Sequence, residues 1–354
     1  MLKKAFLLTV ILWTSTLLHP ATDGRISLKD IFWSKKRCIP VPIVFHPKYD
    51  ITLLGIERFS PFDTKKYGKI AAHLQKAFDN SLAFQRPNKI TDEQLLMVHT
   101  ADYLKSLKSS TTIACGVGML GLSLVPNFIL QRALLNPMRY ATGGTVLGAQ
   151  LALQYGWAIN LSGGYHHAKA TKGDGFCFFA DISLAIKIMR LAHPSLKVLV
   201  VDLDAHQGNG VESLAYGDSQ TFIFDIYNAD GYPSGDCASR INFPYPLHCG
   251  ARDEEYLTIL KTELPKVIAH VQPDLIIYNA GTDIYERDEL GGLHVSREGI
   301  IERDHFVFEQ AFISHIPILM VLSGGYSKES AEIIGASLEH ILDPLVSHWP
   351  MGPA

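Results

Sequence analysis

The chain has 354 residues and a formal net charge of −3, with 47% apolar and 19% charged residues. This composition excludes a disordered tail protein, a collagen-like fibre and a small disulfide scaffold. The mild acidity gives no electrostatic footprint for direct nucleic-acid binding. Five cysteines, Cys38, Cys115, Cys177, Cys237 and Cys249, form no CxxC pair. They read as reduced, mostly buried thiols.

The N-terminus differs from the rest. Lys3 and Lys4 precede an uncharged, largely apolar run from Ala5 to Leu18. That length suits the apolar region of a signal peptide better than a membrane span, which takes about 20 residues. Pro20-Ala21-Thr22 is a poor cleavage site. Two readings stay open: an exported or membrane-anchored chain, associated with a membrane through this segment, and a cytoplasmic chain with an uncleaved extension. Lys35-Lys36-Arg37 reads as solvated linker. From about Val41 onward there is no linker, repeat or low-complexity tract. Residues 1–40 are therefore taken as a separate N-terminal segment and linker, and residues 41–354 as one domain.

In chain order, Asn127–Tyr155 reads as one or two helices interrupted around Pro137 and Gly143-Gly144. Short apolar runs at Trp157–Asn160, Lys197–Val201, Thr221–Ile226, Asp274–Tyr278 and Pro317–Leu322 read as buried parallel strands. Helical spacing marks Asp181–Ala192, Glu254–Val271, Arg297–His315 and Lys328–Leu345. Alternating strands and helices predict an α/β fold with a mostly parallel sheet and helices on both faces. In such sheets ligands bind beyond the carboxyl ends of the strands.

Four of these strand ends carry chemistry. Ser162-Gly163-Gly164-Tyr165-His166-His167 follows the first strand, and Asp202-Leu203-Asp204-Ala205-His206 follows the second. Asn279-Ala280-Gly281-Thr282-Asp283 and Ser323-Gly324-Gly325-Tyr326 follow the last two. Alternate side chains of an extended segment share a face, so Asp202, Asp204 and His206 point the same way. Asp204 and His206, with Asp283 as a third ligand, would hold Zn²⁺ and leave a position open, as catalytic zinc sites do. Asp202, one pleat deeper, would support this group. The His166-His167 pair can supply the base and acid that hydrolysis needs. Tyr326 can donate to a developing oxyanion. Gly175 and Phe176 can wall a narrow slot.

The motifs GGYHH, GDGFC, VDLDAHQGNG, NAGTD and SGGY resemble, in order and spacing, those of the zinc-dependent histone deacetylase family. Further stretches at Ile43–Asp63, Leu124–Arg132, Gly156–Asn160, Glu289–Leu293 and Pro317–Tyr326 resemble its class IV branch. The resemblance covers about Val41 to Leu345. It implies a three-layer arginase/deacetylase-like α/β fold and hydrolysis of N-ε-acyl-lysine in a protein or peptide. By position it implies zinc on Asp204, His206 and Asp283, with His167 as general base and acid and His166 as its electrostatic partner. Asp202 would orient His166, and Asn209 would sit behind His167. Tyr326 would polarise the acyl carbonyl, and Gly175 and Phe176 would line the acyl-lysine tunnel. A structural K⁺ would lie on Asp202 and the main chain of Asp204 and His206, completed by Asp225 and Ile226.

Two departures stand out. Many members of the family have Asp where this chain has Asn209, and a neutral amide raises the basicity of His167 less. Many also carry an acid on the rim loop that here reads ACGVGMLGLSLV, from Ala114 to Val125. This apolar loop could accommodate a long acyl chain, which fits the removal of fatty-acyl groups from lysine known of class IV enzymes. Three rival readings use the same residues. A binuclear, arginase-like hydrolase needs a carboxylate at the position of Gly208. An acetylpolyamine deacetylase would use the same chemistry. A non-catalytic acyl-lysine binding module would have no need of so complete a set of competent residues.

Overall fold

The computed structural model describes residues 39–53, 55, 62–233 and 241–347. The signal-like segment at Met1–Thr22, the basic cluster Lys35–Arg37, Cys38 and Cys237 lie outside them. Among the described residues no helix is long and apolar enough to cross a membrane.

Among the described residues, eight strands form one sheet: β1 (Ile39–Val44), β2 (Leu82–Gln85), β3 (Trp157–Asn160), β4 (Val198–Asp202), β5 (Thr221–Asn228), β6 (Phe243–Leu247), β7 (Leu275–Asn279) and β8 (Ile318–Val321). Their order is β2-β1-β3-β8-β7-β4-β5-β6, and every neighbouring pair is parallel. The principal helices are α1 (Lys66–Ala77), α2 (Asn136–Tyr155), α3 (Asp181–Ala192), α4 (Asn209–Ala215), α5 (Asp253–Val271), α6 (Arg297–Ile313) and α7 (Ser330–Ser347).

The central strands feed two cores, as the period of two requires. Leu199 and Val201 of β4, Ile276 and Tyr278 of β7, and Ile318 and Met320 of β8 face one core, which they share with α1, α5, α6 and α7. Val198 and Val200, Leu275 and Ile277, and Leu319 and Val321 face the other, with α2 and α3. Each fully buried aliphatic side chain contributes about 1.5–3 kcal/mol, so this double burial fixes strand register and closes the three layers.

Two expectations are corrected. Gly143 and Gly144 do not interrupt a helix. They lie inside α2, where a Cβ on Gly143 would strike the Asn88 carbonyl and one on Gly144 the Tyr49 hydroxyl. The glycines let α2 sit close against its neighbours. The irregularity comes earlier, at a π-helical turn over Gln131–Leu135 that runs directly into α2, and Pro137 stands in the first turn of α2 just after it. The thiols are also less buried than expected: of the described free cysteines, Cys177 is buried, whereas Cys115 and Cys249 are exposed.

Candidate metal centre and acyl site

The carboxyl ends of β3, β4, β7 and β8 converge. Asp204, His206 and Asp283 are all buried, and their potential ligand atoms lie within 4.8 Å of one another. His206 Nδ1 is 3.0 Å from Asp204 Oδ1 and 3.0 Å from Asp283 Oδ2. Burial alone would depress the His206 pKa, but its bonds to the two carboxylates carry it well above the ordinary value. Two acids and an imidazole gathered out of water are the donor set of a divalent metal, and the residues fit that group.

Second contacts aim these ligands. Ser323 Oγ and the Gly324 N–H donate to Asp204 Oδ2 at 2.8 and 2.9 Å. The Ala205 N–H donates to Asp283 Oδ1 at 2.9 Å. Asp202, the last residue of β4, accepts from Asn279 Nδ2 at 2.7 Å and faces His166 Nδ1 at 2.9 Å.

The two histidines have opposite electrostatics. Burial lowers the His166 pKa, but the charges of Asp202 and Asp204 outweigh it and bring it to about 9. His167 is pushed well below its ordinary value, first by burial and then by the neighbouring His166 and His206. Its Nδ1 lies 3.0 Å from Asn209 Oδ1. An amide oxygen only accepts, so Nδ1 carries the hydrogen and Nε2 keeps a lone pair.

Tyr326 stands across the site, its ring centroid 6.2 Å from that of His206 and 5.9 Å from that of Phe176. Burial, with the nearby carboxylates Asp283 and Asp204, raises its pKa well above 10, which keeps the phenol a donor. Gly175 packs on the His167 ring, leaving no room there for a side chain. Of the sequence-predicted site residues, His166, His167, Gly175, Phe176, Asp204 and Tyr326 line one cavity of about 90 Å³, and His206, Asp283, Asp202 and Asn209 lie directly behind them, within hydrogen-bond distance of these residues or of one another. Its walls include Gly175, Phe176, His167 and Tyr326, and also Val117, Met119 and Leu122 from the acid-free loop.

Two predicted features concern further cations. A side chain at Gly208 would crowd Asp202 Oδ2, so this position has no space for a carboxylate. Asp225 is buried, and its Oδ1 has no hydrogen-bond partner. Burial and the nearby Asp202 and Glu212 carboxylates raise its pKa strongly.

Other residues of the site escaped sequence reasoning. Tyr232 lays its ring edge-on to His167, with centroids 4.9 Å apart, and 6.3 Å from His206. The signal was its place just beyond β5, which ends on the same edge of the sheet. Asp181 accepts from the Gly164 and Tyr165 N–H groups at 2.9 and 2.8 Å and holds the turn that presents the histidine pair. Gly163 and Gly164 make that turn at φ of 80° and 86°. Asp288 does the same for the last loop, accepting from the Tyr326 and Ser327 N–H groups at 2.6 and 3.0 Å. The fully buried Lys66 donates from Nζ to the Ser323 and Gly324 carbonyls at 2.9 and 3.1 Å.

His99 braces the histidine loop from outside the cavity. Its Nε2 accepts from the Ala180 N–H at 3.0 Å, and its Nδ1 donates to the Lys169 carbonyl at 3.0 Å. The fold uses the neutral ring, and burial lowers its pKa to about 4. The unfolded chain binds this proton near the ordinary value of about 6.5, so between the two values it binds more protons than the folded one. Stability should therefore fall as pH drops from about 6.5 through about 4. Urea midpoints across that window test this, and His99→Gln should flatten the dependence. An unchanged slope in the variant would count against His99 as its source.

A family model described as histone deacetylase domain matches residues 60–341. The chain belongs to the histone deacetylase family. It is 43% identical to histone deacetylase 2 of Arabidopsis thaliana over 85% of this chain and 78% of that protein. An uncharacterized protein of Picosynechococcus is 31% identical over 83% and 94% of the two chains. Human histone deacetylase 1 is 30% identical over 68% of this chain, which spans about half, 52%, of that relative. A crystal structure of the HDA15 HD domain superposes with a TM-score of 0.70 at 20% identity, covering 88% of this chain and 91% of that one. The expected deacetylase-type α/β fold is thereby shown for this family member.

Proposed function

We propose that this chain is a zinc-dependent hydrolase of N-ε-acyl-lysine in proteins or peptides, of the class IV type and accepting long acyl chains. The observation that carries the reading is the buried Asp204, His206 and Asp283 group beside a neutral His167 at the wall of an apolar cavity. The acyl-chain preference is supported by Val117, Met119 and Leu122, which turn apolar side chains into that cavity from a loop that carries no acid.

Asp204, His206 and Asp283 would hold zinc, which would supply Lewis acidity toward the acyl carbonyl and the attacking water. His167 takes the water proton at Nε2, while Asn209 holds Nδ1–H and so fixes the tautomer. The cationic His166, anchored by Asp202, and the Tyr326 hydroxyl favour the negative charge that develops on the acyl oxygen. His167 then returns its proton to the leaving lysine amine. Gly175 and Phe176 wall the slot for the lysine stem, with the Tyr232 ring against His167. Asp225 and Asp202, with Ile226 and the main chain around Asp204 and His206, would hold K⁺.

The test is release of acid from matched acetyl-lysine and myristoyl-lysine peptides and from an acetylpolyamine, with and without chelator. Chelator-sensitive release that favours the myristoyl peptide is the expected result. A preference for acetyl-lysine would remove the acyl-chain role of the 114–125 loop. Turnover of the polyamine alone would overturn the protein-lysine reading.

A further inference from the structure

Arg303, in the middle of α6, is fully buried. Its Nη1 donates to two main-chain carbonyls, Leu203 at 3.0 Å and Gly281 at 2.6 Å. These belong to different strand ends. Leu203 follows β4 and immediately precedes Asp204, and Gly281 follows β7 and stands two residues before Asp283. One nitrogen therefore spans the gap between the two segments that carry the carboxylate ligands.

The guanidinium is itself held. Nε donates to Asp304 Oδ1 at 2.8 Å, and Nη2 pairs with the same oxygen at 2.8 Å. The Tyr278 hydroxyl donates to that oxygen too, and Ser337 Oγ donates to Oδ2 at 2.5 Å. The Tyr256 hydroxyl adds a bond to the Leu203 carbonyl at 3.3 Å. Side chains from α5, α6, α7 and β7 thus lock one cation in place. A buried charge is no cheap source of stability, because apolar packing of the same volume serves as well. What apolar packing cannot do is bond two carbonyls at a set separation.

We propose that Arg303 is a positioning residue for the metal site, tying the Leu203 and Gly281 carbonyls together and so fixing the distance between Asp204 and Asp283 before the ion arrives. The inference rests on the reading of Asp204, His206 and Asp283 as a zinc site. Lysine at 303 would keep the charge but reach one carbonyl at most, and methionine would reach neither. Outer partners of metal ligands are worth about 10–100-fold in affinity.

The experiment is zinc affinity of the full chain by competition with a chromogenic chelator, alongside thermal unfolding without metal. Arg303→Lys should lose about 10-fold in affinity and Arg303→Met more. Ser337→Ala cuts the far side of the same network and serves as the control. It should lower the melting temperature and keep zinc affinity within about twofold of the parent, well short of an outer-partner loss. Arg303 variants that fold cooperatively and bind zinc as the parent does would overturn the proposal. If neither variant folds, Asp304→Asn decides, because it removes the counter-charge that holds the guanidinium with little change of shape: weakened zinc binding supports the proposal, and parental affinity overturns it. A parent chain that takes up no zinc would overturn the metal reading itself, an outcome distinct from unchanged affinity in the variants.

Discussion

His167→Ala should lower acyl-lysine hydrolysis by about 10²–10⁴-fold, the range for removal of a general acid–base group. The size follows from its double task, since the same Nε2 would take a proton from water and deliver one to the amine. His166 cannot stand in for it. Its Nδ1 is tied to Asp202, and the charges of Asp202 and Asp204 keep it protonated, so it has no lone pair to offer near neutral pH. His167 has the opposite bias, from burial and two cationic neighbours. Zinc content should be unchanged, because His167 contributes no ligand atom to the Asp204, His206 and Asp283 group. Turnover rate and metal content on one sample check both parts, and a variant retaining a tenth or more of parental turnover would contradict the role.

Tyr326→Phe should cost about 10²–10³-fold in turnover, with substrate affinity and zinc content little changed. The substitution removes one hydroxyl and keeps the ring that packs on Phe176 and Phe62. The loop should stay in place, since Asp288 holds it through the Tyr326 and Ser327 main-chain N–H groups rather than through the side chain. The loss should therefore fall on kcat, as it does when an interaction made in the transition state is removed. A change confined to KM would make Tyr326 a packing residue of the cavity wall.

The parts of the fold legible in the sequence are those in which local pattern and burial agree. β3, β4, β5, β7 and β8 are short apolar runs, and each lies within two residues of its expected bounds. The other three strands carry weak or contrary signals. β6 reads FPYPL on the sheet edge, where an absent N–H is tolerated, and β2 is only four residues, of which Leu82 alone is buried. β1 contains Pro40 and Pro42, in the stretch that precedes its pairing with β3. Likewise, Asp202, Asp204, His206, Asp283, the histidine pair and Tyr326 were readable because they lie at or within a few residues of the ends of buried strands. The residues that aim them were not. Asp181, Asp288, Lys66 and Arg303 make their decisive bonds to main-chain groups far away in sequence, and nothing in their own neighbourhoods announces it. His99 was hidden for the same reason. Its two partners, Lys169 and Ala180, lie on the loop it braces.

The claim that one ion on Asp204, His206 and Asp283 enables hydrolysis is tested most directly by stripping the full chain with chelator and titrating zinc back. Deacylation of an acyl-lysine peptide should vanish on stripping and return in full at one equivalent of zinc per chain, as a single ligand group among the described residues requires. Activity that survives stripping, or that needs a second equivalent, would contradict it.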